Sequence, residues 1–77
     1  MARDRATELD ESYMRKCIEI GRSAARAAEA PVGAIVVRDS RVVAQAGEEV
    51  KATLDVTAHA EVVAIRRASR TVGARSI

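Results

Sequence analysis

At 77 residues the chain is one small domain at most, and a domain of that size buries only about 60 % of the surface its unfolded form exposes. Tyr13 is the single aromatic residue and Cys17 the single cysteine, so a core has to be built from Ala, Val and Ile without an internal disulfide. The formal charge of +2, with both signs interspersed, implies no nucleic-acid partner by itself. The lack of a charged-then-apolar leader, or of the roughly 20 apolar residues that span a bilayer, predicts a cytoplasmic protein without a membrane partner.

In chain order, apolar or small residues recur at Leu9, Tyr13, Cys17, Gly21, Ala24 and Ala28, flanked by Met14, Ile18 and Ala25. This spacing predicts an amphipathic helix from Leu9 to about Ala28, with Arg15, Lys16, Glu19 and Arg22 toward water and Pro31 marking its end. Cys17 falls in the apolar stripe and is expected to pack as a small hydrophobe. The run VGAIVV from Val32 to Val37 is short and β-branched, which predicts a strand covered on both faces. A polar Asp-Ser turn between Arg38 and Arg41 and a second apolar stretch, Val42 to Ala46, complete a hairpin closed by Gly47. Gly33 serves either close backbone approach to a ligand or strand packing.

Glu48 to Val56 has no period and is expected to be a loop in which Glu48 and Glu49 are solvated charges. A second helix is predicted from about Ala58 to Arg70, with Thr57 as N-cap, Ala60, Val63, Ala64 and Ala68 inward, and Gly73 as stop signal. Arg66, Arg67, Arg70 and Arg75 form a late basic stretch, expected to be a solvated face near the negative helix end; RNA binding is the weaker alternative. A helix, two strands and a helix leave sheet edges open, and a lone hairpin is marginal in water.

The segment from Thr57 to Glu61 reads TAHAE and places His59 and Glu61 two residues apart at a helix opening. On a regular helix they would diverge by about 200°, so they converge only around the open first turn, where the positive dipole end favours anionic species. Taken on spacing alone, a histidine at such a place is more often a cap or surface residue than a metal ligand.

Together with the PVGAIVV strand from Pro31 to Val37, the amphipathic first helix, the second strand and the run DVTAHAEVVAIRRA from Asp55 to Ala68, this motif resembles the cytidine, deoxycytidylate and tRNA-adenosine deaminase superfamily. The resemblance lies in particular with its guanine deaminase-like and tRNA adenosine deaminase-like members, over residues 9–70. It implies an α/β, cytidine deaminase-like three-layer fold, truncated here to helix-strand-strand-helix, residues 1–77 forming the amino-terminal part of a single deaminase domain. It also implies zinc-dependent hydrolytic deamination of a nucleobase or nucleoside. Zinc held by one histidine and two cysteines is the family's cofactor, and the mechanism is a documented property of these deaminases.

Carried over residue by residue, the resemblance implies His59 as metal ligand, Glu61 as catalytic proton carrier, and Ala60 and Glu48 as substrate-contacting positions. Glu48 stands where much of the family has a substrate-binding asparagine, and an anion there removes the amide donor. Val56 replaces a common proline. The Pro-Cys-X-X-Cys element that brings the other two ligands has no counterpart, since no cysteine follows Cys17. Catalytic zinc generally keeps three protein ligands, so the resemblance implies a deaminase-family chain that is inactive as it stands. The alternative is a non-catalytic interaction module that pairs its open sheet edge with another chain. The partners implied are a small purine or pyrimidine base, with tRNA as the alternative, and a second copy or a complementing chain.

Overall fold

A computed structural model describes residues 4–73. Its elements are α1 (Arg5–Arg26), β1 (Gly33–Arg38), β2 (Arg41–Gly47), the single-turn α2 (Val50–Thr53) and α3 (Ala60–Val72). The expected helix-strand-strand-helix order is present, with one extra helical turn inside the segment expected to be a loop.

Helix α1 begins four residues before Leu9 because Asp4 supplies an N-cap: its carboxylate accepts from the Thr7 N–H at 2.8 Å. Its end is set by backbone geometry, not by Pro31. Ala28 adopts a left-handed φ of 62°, and the N–H groups of Ala28 and Glu29 return to the carbonyls of Ala25 and Ala24, each at 3.0 Å. This pair of bonds is a Schellman motif, and it turns the chain before the proline is reached.

The strands pair antiparallel from Gly33↔Gly47 to Arg38↔Arg41, with an irregularity between Val36 and Val37. Asp39 and Ser40 both take positive φ, 51° and 62°, the mirror-image turn whose twist suits a two-residue hairpin.

Side chains alternate across a strand, and here the two faces meet different helices. Ala34, Val36 and Ala46 pack with Ala58, Val63 and Ala64 on the α3 side. Gly33 and Gly47 lie under α1, where added Cβ atoms would meet Ile20 and, at Gly47, also Ala24. The hairpin is thus covered on both faces, giving the three-layer α/β arrangement. Ala24, Ala46, Ala58, Ala60, Val63, Ala64 and Ala68 are the buried hydrophobic residues, and no large side chain is fully buried. Small side chains allow close layers while burying little area per residue. The helix α1 stripe is only partly covered: Met14 and Ile18 remain 61 % and 47 % exposed. Among the described residues no helix is long and apolar enough to cross a membrane.

The layer contact explains Gly33. A Cβ there would collide with the Cys17 carbonyl oxygen, so the glycine serves strand packing beneath α1. Overpacking of this kind costs typically about 1–3 kcal/mol, a large share of the stability of so small a domain. Gly33→Ala is therefore expected to lower the unfolding free energy extrapolated from urea denaturation by that order; an unchanged value would show that α1 does not approach β1 this closely.

Candidate functional site

The TAHAE motif lies where the chain leaves a turn and enters α3. Asp55 organises that turn, its carboxylate accepting from the Thr57 hydroxyl at 2.6 Å and the Thr57 N–H at 2.9 Å. Those two bonds, hydroxyl first, hold the Asp55 pKa below its ordinary value. Thr57 is therefore a turn residue and not the N-cap. The cap is His59, in extended geometry at φ −69° and ψ 153°, with its carbonyl accepting the first helical bond from Val63 N–H at 3.0 Å. The helix starts at Ala60, two residues later than an N-cap at Thr57 would place it.

His59 makes no side-chain cap bond; Glu48 reaches in from across the chain instead. One of its oxygens, Oε1, accepts from the buried Ala60 N–H at 2.6 Å, and Oε2 lies 3.0 Å from His59 Nδ1. The Glu48 side chain is 8 % exposed against 53 % for His59, so Glu48 is not the solvated loop charge that composition implied. Burial of a carboxylate is tolerated because both oxygens meet donors and the helix N-terminus favours negative charge. Glu49 is also engaged, accepting from Arg67 Nη2 at 2.6 Å. Arg67 Nη1 donates to the Gln45 carbonyl at 3.0 Å, so this arginine lies along the open side of β2 and is no free surface charge. Arg66 and Arg70 are exposed as expected, and Arg75 lies outside the described residues.

A second glutamate that the sequence did not single out holds the other side of the loop. Glu29, just past α1, accepts from the N–H groups of Lys51 and Ala52, both at 2.9 Å, and so caps α2 from more than 20 residues away. Its only sequence signal is an acidic residue near a short helix, which is too common to read.

Glu61 is exposed on the first turn of α3, and Ala60 is fully buried with its N–H committed to Glu48. The site thus brings together His59, Glu48 and the Ala60 amide, with Glu61 one turn position beyond. Cys17 sits half-buried on α1. Among the described residues no three His, Cys, Asp or Glu side chains are grouped to hold a metal ion. One imidazole with a carboxylate against its Nδ1 does not fit a tetrahedral zinc centre, which needs three protein ligands.

The sequence pattern described as the cytidine and deoxycytidylate deaminase zinc-binding region matches residues 7–77. The chain belongs to this family. A tRNA-specific adenosine deaminase from Agrobacterium fabrum is 41 % identical over 61 residues, 79 % of this chain and 40 % of that protein. A guanine deaminase from Bacillus subtilis is 46 % identical over 44 residues, 57 % of this chain and 28 % of the relative. Among solved structures, a tRNA:A34 deaminase superposes with a TM-score of 0.81 at 39 % identity, over 83 % of this chain and 49 % of that one. The Bacillus subtilis guanine deaminase gives 0.79 at 34 % identity, over 83 % and 41 %. The fold is therefore the cytidine deaminase-like one, and the chain spans half or less of the length of these relatives.

The Glu48–His59 contact carries a pH signature. Its hydrogen bond to His59, then the Ala60 N–H, holds Glu48 below its ordinary 4.5; the bond to Glu48, then its charge, raises His59 above its ordinary 6.5. Glu48 adds stability that is present above 4.5 and lost as pH falls through the lower folded value, while His59 adds stability present below 6.5 and lost as pH rises through the higher folded value. Unfolding midpoints of the native chain and Glu48→Gln are thus expected to differ most between about pH 4.5 and 6.5, with the gap narrowing on both sides; a gap independent of pH would rule out the charged pair.

Proposed function

We propose that this chain contributes His59 and Glu61 to the hydrolytic removal of an exocyclic amine from a purine base or nucleoside. The observation that supports this is the TAHAE geometry: His59 stands outside the helix in extended backbone and Glu61 on the first turn, within a fold shared with proteins named as adenosine and guanine deaminases. Adenine and guanine each carry an exocyclic amine on a ring carbon bonded to a ring nitrogen, an amidine-type carbon open to attack by water, which is the substrate chemistry favoured.

Hydrolysis replaces that amine by a carbonyl oxygen and releases ammonia. Water must lose a proton and the departing amine must gain one, and a single mobile carboxylate can carry both. Glu61 is exposed and unconstrained by any hydrogen bond among the described residues, so it is free to take that role. Glu48 and Ala60 line the same helix start and are the substrate-contacting positions in this reading. Zinc, when bound in this family, supplies an electrophilic centre for the water. The described residues do not make that centre, so the missing ligands must be brought by other polypeptide.

Purified 77-residue chain is accordingly expected to carry far less than one zinc per chain by elemental analysis and to release no ammonia from guanine or adenosine-containing RNA. A polypeptide corresponding to the other half of the relatives, with its cysteine pair, should restore both, and Glu61→Gln should abolish turnover while keeping the metal. Stoichiometric zinc and turnover by the chain alone would overturn the proposal.

A second reading, association through an open sheet edge, is favoured by the unequal treatment of the two edges. The β2 side is shielded by polar groups: Arg67 spans Gln45 and Glu49, and Glu19 and Ser23 of α1 border the same groove. At about 100° per residue, Met14 and Ile18 fall on the other side of α1, and Ile65 on the side of α3 away from Arg67. These three are exposed, and the outer edge of β1 has no partner strand among the described residues. The run from Gly33 to Val37 carries no charge, so a second copy can lie against it about a twofold axis without like-charge repulsion. Light scattering is expected to show concentration-dependent dimers, weakened by Met14→Lys with Ile18→Lys; a monomer at every concentration would exclude this contact.

A further inference from the structure

In an antiparallel ladder, pairs that exchange N–H···O bonds alternate with pairs whose N–H and C=O groups turn outward. The Glu48 N–H donates to the Val32 carbonyl at 3.2 Å, so along the register the bonded pairs are Ala34↔Ala46 and Val36↔Ala44. Gly33 and Ile35 therefore turn their backbone groups to the outer edge of β1, and Gln45 and Gly47 turn theirs to the outer edge of β2. The β2 edge opens into a groove of about 380 Å³, walled by Glu19 and Ser23 of α1 and by Arg67 of α3. A strand edge lying between two helices is the space that a further strand would fill.

Arg67 takes that space instead. Its Nη1 donates to the outward Gln45 carbonyl at 3.0 Å while Nη2 holds Glu49 at 2.6 Å, so the planar fork occupies the acceptor a neighbouring strand would need. The β2 strand also carries the extra residue of the hairpin. Val36 faces Ala44 and Val37 faces Val42, which leaves Val43 unmatched, and a bulge twists an edge away from partners. The same register leaves no residue of β1 unmatched.

We propose that Arg67 is an edge guard, masking on β2 a strand-pairing surface whose partner, once the guard is removed, is β2 of a second copy. About a twofold axis at Gln45, the outward N–H and C=O of one copy meet the C=O and N–H of the other, the bonded pair of an antiparallel ladder. Arg41 and Glu49 lie four residues to either side of Gln45. The same axis brings Arg41 of each copy toward the Glu49 that Arg67 has released, so charge and backbone together select a second copy over an unrelated strand. The guard acts at β2 and stands whether or not β1 takes a second copy.

Light scattering of the full chain over a concentration series tests this. At equal concentration Arg67→Ala is expected to at least double the mean mass of the native chain. Adding Gln45→Pro should return it to the native value, because proline removes the outward N–H and costs no bond to β1. Introducing Arg67→Ala into the chain that carries Met14→Lys and Ile18→Lys should produce the same gain, which separates this contact from association through β1. A folded Arg67→Ala chain of native mass at every concentration would overturn the proposal, as would a gain that survives Gln45→Pro in a folded chain or that vanishes with the two lysines. Should Arg67→Ala not fold, Arg67→Lys decides: lysine cannot span both acceptors, so a mass above native supports the guard and a native mass refutes it.

Discussion

A buried carboxylate at the mouth of a helix governs the functional end of this molecule. Glu48 follows β2 directly and its two oxygens are divided between the Ala60 N–H and His59 Nδ1. Without that acceptor the first amide of α3 would be buried and unpaired, at a cost of about 1–3 kcal/mol. The same contact sets where α3 begins, keeps His59 outside the helix in extended backbone, and directs its ring. Glu29 performs the parallel task for α2, so two long-range glutamates hold a segment whose composition shows no regular structure.

The layers behind that loop are thin. Glycines at 33 and 47 bring the hairpin against α1, and alanines bring it against α3. Close approach takes the place of bulky interdigitating side chains. The corollary is a core with little apolar area and an apolar helix margin, Met14 and Ile18, left exposed. The chain spans half or less of the length of the relatives it matches.

The family membership and the site geometry bear on function at different levels. Membership rests on a match over residues 7–77 and on superposition with deaminases of known structure. The geometry adds what is particular to this chain: one imidazole, one exposed carboxylate on the first turn, and a buried carboxylate, Glu48, against the imidazole. The first two are the groups on which the proposed function rests; the third holds the imidazole at the helix mouth.

Local pattern was enough to identify the two long helices and the hairpin with its Asp-Ser turn, because each follows from periodicity or from turn chemistry within a few residues; the three-layer arrangement was implied by the family resemblance. His59 and Glu61 were legible as a pair for the same reason: they are neighbours in the chain. Element ends were less so. The extended N-terminus of α1 depended on Asp4, and the displacement of the α3 cap from Thr57 to His59 depended on two carboxylates, Asp55 nearby and Glu48 a full loop away. Tertiary structure alone decided that Glu48 is buried, that Glu49 meets Arg67, that Glu29 caps α2 and that Gly33 faces a helix backbone. A side chain's character is written in its own position, whereas the donor it meets 11 to 23 residues away exists only once the chain has closed on itself.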